Sequence, residues 1–438
     1  MAGLRDKAEE EGYKGLVVYA DREHSANLAF LTGYDPRFEE ALLVIDLGGG
    51  NKPALMVGHE GWGYLGISPI AGELKTVLFP SFSLMGQDRI GSRRLVGVLR
   101  SAGLEEGMSV GVAGWKYYTR EEADAPETML EVPSYIADAL RAVCGSRELV
   151  RNANDLLMDP ERGLRTQNGV DQLACFEFAA SHTSQAVRDA VFGLRPGMTE
   201  FDAVRLMRLS GLPLSCHLML SSGPRAFMGL GSPSSRRIER GDPFTTAYGV
   251  WGALNCRAGF VVEGEDDLPE GIRDYVERLV APYFEAVAAW YEHVGIGVTG
   301  GEIYSAVHDR IGDPFFGVSL NPGHIISLDE WVHSPIYESS TIRLRSGMAI
   351  QMDIIPATGT HYFTINAEDG IALADEGLRA ELAERYPEAW RRIKARREFM
   401  MDVLGIRLRP EVLPFSNMPG YLPPYLLNPY KAMRMVGD

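Results

Sequence analysis

The sequence predicts two domains, an α/β domain over residues 1–158 followed by an α+β domain over residues 159–438. Three observations carry this reading. A chain of 438 residues is longer than one hydrophobic core usually serves. Its first third alternates short β-rich runs with helical stretches, and the remainder places long amphipathic helices around clustered strands.

In the first domain, residues 15–19, 41–45, 53–57 and 110–112 are brief aliphatic runs bounded by Gly, Asp or Pro, the pattern of strands. Between residues 148 and 170 the pattern gives way to charged and amide residues, among them Arg151-Asn152-Ala153-Asn154-Asp155, and the boundary is placed there. In the second domain, Leu173, Phe176, Ala180, Val187, Val191 and Leu194 keep close to a helical period, and Pro196-Gly197 ends that helix. Thr199 with Asp202, and Thr299 with Glu302, are capping pairs that open two further helices. The strongest stripe runs from Ile272 through Leu279, Tyr283, Phe284 and Val287 to Tyr291 and is read as core. Strands are expected at 243–250, 253–262, 348–355, 361–365 and 370–374, forming a mostly antiparallel sheet covered by helices. No internal sequence repeat is evident. The tail over 410–429, rich in Pro, Tyr and Leu, is expected to lie extended on the body or on a neighbouring subunit.

Composition excludes several classes of function. Hydrophobic residues make up 45% of the chain and charged residues 23%, enough apolar surface for a globular protein. Asp and Glu number 59 against 43 Lys and Arg, a formal charge of −16, which disfavours nucleic acid and anionic membranes as partners. No apolar run approaches the roughly 18 residues of a spanning helix, and residues 1–11 are polar and acidic, so a cytoplasmic location is expected. Four cysteines without close pairing suggest neither a disulfide framework nor a zinc finger; they are expected to be reduced and mostly buried. The run Gly48–Gly50 is read as a turn, since no Lys-Ser/Thr follows it.

Chemistry concentrates late in the chain, in Gly323-His324, Leu328-Asp329-Glu330, His333-Ser334-Pro335, the apolar run ending in Asp353, and Glu368-Asp369. An ionisable group within an apolar run needs a partner or a site. In order and spacing these segments resemble the closing motifs of the creatinase/prolidase/aminopeptidase P superfamily (peptidase M24-like). Asn27-Leu28-Ala29-Phe30-Leu31-Thr32-Gly33-Tyr34 is similar to a motif of that family's N-terminal domain, and Pro196-Gly197-Met198-Thr199-Glu200 and Arg240-Gly241-Asp242 fall where its catalytic domain has them. The resemblance implies a creatinase-type N-terminal domain, a pita-bread C-terminal domain, a small-molecule substrate and a homodimer.

The family's metallopeptidases hold two divalent ions on two Asp, one His and two Glu. Carried over, the His falls on His324, the first Glu position holds Asp353 and the second Glu is Glu368. The first Asp position holds Ala247, and the second falls near Asn255 or Cys256. Alanine cannot ligate and neutral Asn offsets no charge, so no cofactor is expected, or, where a metal binds, a single Mn, Fe or Zn ion on His324, Asp353 and Glu368. The superfamily also contains metal-free hydrolases such as creatinase, which Ala253-Leu254-Asn255 resembles more closely. On that resemblance, His324 and His333 are acid/base candidates, Asp353 and Glu368 the carboxylates, and Asn255 their neighbour. The creatinase proton-transferring histidine would fall around Gly229-Leu230-Gly231, where none stands; His217 is the nearest. The function expected is metal-independent hydrolysis of a C–N bond in a small polar metabolite of amidino or amino acid type. A divergent metal-dependent Xaa-Pro dipeptidase or aminopeptidase and a catalytically inactive ligand-binding protein are the alternatives.

Overall fold

The computed structural model describes residues 2–48 and 50–436; Gly49, central to the predicted glycine turn, and Met1 lie outside the described residues. The chain divides into two compact units, Met1–Arg165 and Thr166–Asp438, where sequence placed the boundary after residue 158.

The first unit is built on a six-stranded mixed sheet of β1 (Gly15–Ala20), β2 (Ala41–Asp46), β3 (Ala54–Val57), β4 (Lys75–Leu78), β5 (Val110–Ala113) and β6 (Val150–Asn152), in the order β4-β3-β2-β1-β5-β6. The four strands expected from sequence are its buried interior. The two strands not foreseen are its edges. β4 leaves Lys75 and Leu78 exposed, so no apolar run announces it. β6 lies inside the segment where the domain boundary is placed, because the amides in it and just after it are buried by hydrogen bonding rather than by apolarity. The Asn154 side chain donates to the Lys116 carbonyl at 2.8 Å and to Glu131 Oε2 at 2.7 Å, and Asn152 donates to the Met129 carbonyl at 2.9 Å.

The second unit carries a seven-stranded antiparallel sheet: β7 (Met219–Ser222), β8 (Pro243–Val250), β9 (Ala253–Phe260), β10 (His324–Ile325), β11 (Ala349–Asp353), β12 (Asn366–Leu373) and β13 (Val412–Pro414). The order is β10-β11-β12-β9-β8-β7, with β13 added beside β12. Residues 361–365, expected as a strand, form a turn instead; Phe363 there adopts φ 60°, which no strand accommodates. The stripe from Ile272 to Tyr291 is core, centred on the helix Ala281–His293, with Tyr283, Phe284 and Trp290 essentially inaccessible.

Two stretches of this unit share a plan that sequence did not disclose. The helix Val170–Gly193 is followed by Gly197 at φ 89°, and Thr199 then caps the helix Glu200–Leu206. Arg237 pairs back with Thr199 and donates to the Gly197 carbonyl at 2.7 Å. The helix Ala281–His293 is followed by Gly297 at φ 86°, and Thr299 then caps the helix Gly300–Ile311. Arg343 pairs back with Thr299 and donates to the Gly297 carbonyl at 2.7 Å. Each stretch leads into an antiparallel strand pair, β8–β9 or β11–β12, entered through Gly241 at φ 88° or Gly347 at φ 86°. The repeat is one of capping and backbone pairing, with few shared side chains, and it therefore left no mark on composition or periodicity.

The tail lies on its own unit. Beyond β13, the carbonyls of Met418 and Tyr421 accept hydrogen bonds from the buried Arg257 guanidinium, and Leu426 N donates to the Phe260 carbonyl. Arg257 also meets Asp369 at 2.8 Å, and both side chains are only 1% exposed. Among the described residues, no helix is long and apolar enough to cross a membrane. All four cysteines are free; Cys144 and Cys256 are buried, Cys216 is partly buried and Cys175 is exposed.

Candidate functional site

Side chains alternate along a strand, so register decides which residues can meet. His324 pairs with Gln351, Asp353 with Glu368, Glu368 with Cys256, and Cys256 with Ala247. These six side chains share one face of the sheet. Two glycines make the arrangement possible. Gly323 turns the chain into β10 at φ 137°, where a Cβ would stand 2.7 Å from the Gln351 carbonyl. At Gly370 a Cβ would stand 2.6 Å from Gln351 Oε1, so only glycine leaves that amide its place.

His324 is fully buried, and its Nε2 lies 3.1 Å from Glu330 Oε1, 3.8 Å from Glu368 Oε1 and 4.0 Å from Asp353 Oδ2. Its ring stacks on Trp331 with centroids 4.2 Å apart. Gln351 Nε2 donates to Glu368 Oε1 at 3.1 Å, while Gln351 Oε1 and Asp353 Oδ1 are buried without a hydrogen-bond partner. Burial by itself lowers the basicity of His324. The Glu330 and Glu368 carboxylates that face its Nε2, together with the charge of Asp353, outweigh it and raise the imidazole to about 10. Burial raises both Asp353 and Glu368 above the ordinary carboxylate range; mutual repulsion adds to this at Glu368, and His324 opposes it at both. The His324 ring is therefore expected to stay protonated until about pH 10 in a 15N-detected NMR titration. A midpoint at the ordinary 6.5 would show that the carboxylates do not hold it.

Glu330, Asp353 and Glu368, with Ala247 and Cys256, form the floor of a cavity of about 550 Å³, and the fully buried His324 and Gln351 are not among its lining residues. Its walls are mostly apolar, from Met219, Phe227, Leu230, Leu254, Leu320, Trp331, Ile355 and Phe363, with Thr245, Thr364 and Asn366 among the polar residues. Phe363 meets Phe227 edge to face at 5.0 Å and holds φ 60°, a left-handed conformation uncommon for an aromatic residue and typical of sites where the surroundings over-determine the backbone. Burial and the nearby Glu330 and Glu368 push the Cys216 thiol up to about 12, and burial raises Cys256 further still, so neither supplies a thiolate nucleophile.

Of the residues singled out in sequence, His324, Asp353 and Glu368 come together, and Asp353 and Glu368 line the floor. His217 also reaches the cavity: it lies at the rim, its Nε2 3.1 Å from the carbonyl of Leu230, where the resemblance to creatinase would place a histidine. Two expectations are corrected. Asn255 alternates with Cys256 and points to the opposite face, where it accepts from Thr183 at 2.6 Å and donates to Asp369 at 2.9 Å; it ties the sheet to a helix. His333 pairs with Ile325 rather than lying beside His324, so its side chain leaves on the other face, and it does not line the cavity. Sequence reasoning placed Glu330 in the late cluster without giving it a role, and it singled out neither Trp331 nor Gln351. Gln351 could have been found from the two-residue period ending at Asp353. Glu330 and Trp331 lie in an irregular loop, where no period predicts which side chain turns inward.

The two-metal arrangement does not fit these residues. Register resolves the second Asp position as Cys256, opposite Ala247, so the β8–β9 pair offers one methyl group and one protonated thiol where carboxylates are needed. A single ion finds a better donor set than the one expected. Ligand atoms of His324, Glu330 and Glu368 all lie within 4.8 Å of one another, with Glu330 in the role foreseen for Asp353.

Residues 174–378 match the model of metallopeptidase family M24. Comparison with curated proteins found no match. Among solved structures, an Xaa-Pro dipeptidase from Bacillus anthracis superposes with a TM-score of 0.61 at 17% identity, covering 86% of this chain and 94% of that one. The prolidase from Pyrococcus horikoshii OT3 gives 0.62 at 17% identity, covering 85% and 94%. The X-Pro aminopeptidase from Thermotoga maritima MSB8 likewise gives 0.62 at 17%, covering 85% and 94%. At these identities the likeness is one of fold.

Proposed function

Because the second unit is a pita-bread domain of metallopeptidase family M24, in the creatinase/prolidase/aminopeptidase P superfamily and so of a hydrolase acting on C–N bonds, we propose that this chain hydrolyses a C–N bond in a small metabolite without a two-metal centre. The observation that carries this reading is the replacement of the β8–β9 ligand positions by Ala247 and Cys256, while His324, Asp353 and Glu368 remain assembled.

The roles follow from protonation. Asp353, which lines the cavity and whose affinity for protons is raised by burial, is placed to take a proton from water as the water oxygen bonds to the substrate carbon. The C–N bond then breaks as the leaving nitrogen accepts a proton that His324, behind the cavity lining, relays through Glu368. The proton on Asp353 returns to His324 across their 4.0 Å separation, so each turnover consumes one water and restores the cluster. Glu330 keeps the imidazole cationic, and Gln351 orients Glu368. His217, at the rim, is positioned to pass protons between cavity and solvent.

A second reading is supported by the compact donor set. One divalent ion held by His324, Glu330 and Glu368 would polarise a carbonyl and acidify a bound water. Elemental analysis of chain purified without added metal separates the readings. Well under one ion per chain is expected; about one ion, lost in Glu330→Gln, favours the second reading, and two ions per chain overturn the argument from Ala247 and Cys256.

A further inference from the structure

We infer that the cavity selects a cation carried on an apolar, aromatic-sized body and lacking a carboxylate. This deepens the hydrolase reading and rests on it for the identity of the site. Asp353, Glu368 and Glu330 supply acidic groups at the floor, and none of the described residues lining the cavity is Lys or Arg. The arginines in neighbouring segments are engaged elsewhere. Arg225 is held on Glu200 and the Ser232 carbonyl, Arg236 on Asp242, and Arg257 on Asp369 behind the sheet. A substrate carboxylate would thus meet carboxylates with no guanidinium to receive it, the cationic His324 being fully buried and already paired with Glu330, and like charges at close range disfavour binding.

The independent sign of a ligand is an unmet polar atom. Asp353, which lines the cavity floor, is 95% buried, and its Oδ1 has no hydrogen-bond partner, a costly state that an N–H donor from the ligand would relieve. Amine and amidine cations donate such bonds and carry the compensating charge. Phe227, Trp331 and Phe363 also line the cavity and supply aromatic surface suited to an apolar body and to cation–π contact. The strained backbone at Phe363 marks that wall as held in place by its surroundings.

Calorimetric titration of the full chain, dialysed against chelator, with three compounds of one size tests this. Benzamidine supplies the cation on an apolar ring, 4-amidinobenzoate adds a carboxylate, and benzamide removes the charge. Benzamidine is expected to bind at least about tenfold more tightly than either of the others. Its affinity is expected to fall about tenfold in Asp353→Asn and to fall in Phe227→Ala, each checked for an unchanged circular dichroism spectrum. Binding of 4-amidinobenzoate as tight as that of benzamidine, or no binding of benzamidine, overturns the inference. Turnover of a carboxylated substrate together with equal binding of the two amidines leaves the hydrolase reading standing and removes this one. The expected binding order without turnover of any amidine or amide does the reverse.

Discussion

Asp369→Ala is expected to destabilise the second unit by about 3–5 kcal/mol, the cost typical of leaving one member of a buried ion pair alone. The guanidinium of Arg257 donates to Asp369, to the carbonyls of Cys256 and Met418, and to Tyr421, so it cannot move out to water without releasing the tail. Asp369 in turn accepts from Asn255 and from Gly420 N at 3.0 Å. Truncating it therefore strands a cation and two donors at once. Urea unfolding followed by tryptophan fluorescence reads the change. A loss below about 1 kcal/mol would mean that the carbonyls alone satisfy Arg257. Asp369→Asn, which retains the acceptor oxygen, is expected to lose less.

His324→Gln is expected to lower turnover by about 10²–10⁴-fold, the range associated with removing a positioned proton donor. Glutamine keeps the bulk and a hydrogen-bonding end but supplies no proton at neutral pH. Its effect on stability depends on pH with a definite sign. The folded-state value of His324, about 10, lies above its ordinary 6.5. The stabilisation from its carboxylate partners is therefore fully present below pH 6.5 and is lost as pH rises through about 10. The stability gap between wild type and variant should narrow over that interval. A gap independent of pH would place the contribution of His324 in packing on Trp331 rather than in charge. Unchanged turnover would remove His324 from the chemistry altogether.

Much of this architecture was legible because its signals are local. The capping pairs at Thr199 and Thr299 and the stripe through Tyr283 and Phe284 announce helices without reference to anything distant. Asp353 was found because an ionisable group in an apolar run is conspicuous, and His324 and Glu368 because they match the closing motifs of the superfamily that the sequence resembles. What stayed hidden depends on register and on loops. Whether Asn255 or Cys256 faces the cavity turns on a single-residue phase that only strand pairing fixes. Whether Glu330 or His333 reaches His324 turns on the path of an irregular segment. The strand β6 was missed for a related reason: its amides look like a linker until their hydrogen-bond partners are known.

The repeated plan within the second unit bears on how this protein can change. Counting from the left-handed glycines, Ala247 stands as far after Gly241 as Asp353 after Gly347, and each faces its partner strand at Cys256 or Glu368. The copies are thus alike in backbone and unlike in chemistry. One copy bears the acids; the other bears only shape. Such a division frees the β8–β9 copy to explore new side chains without dismantling proton transfer, and it makes Ala247 and Cys256 the natural entry points for laboratory evolution of a different specificity.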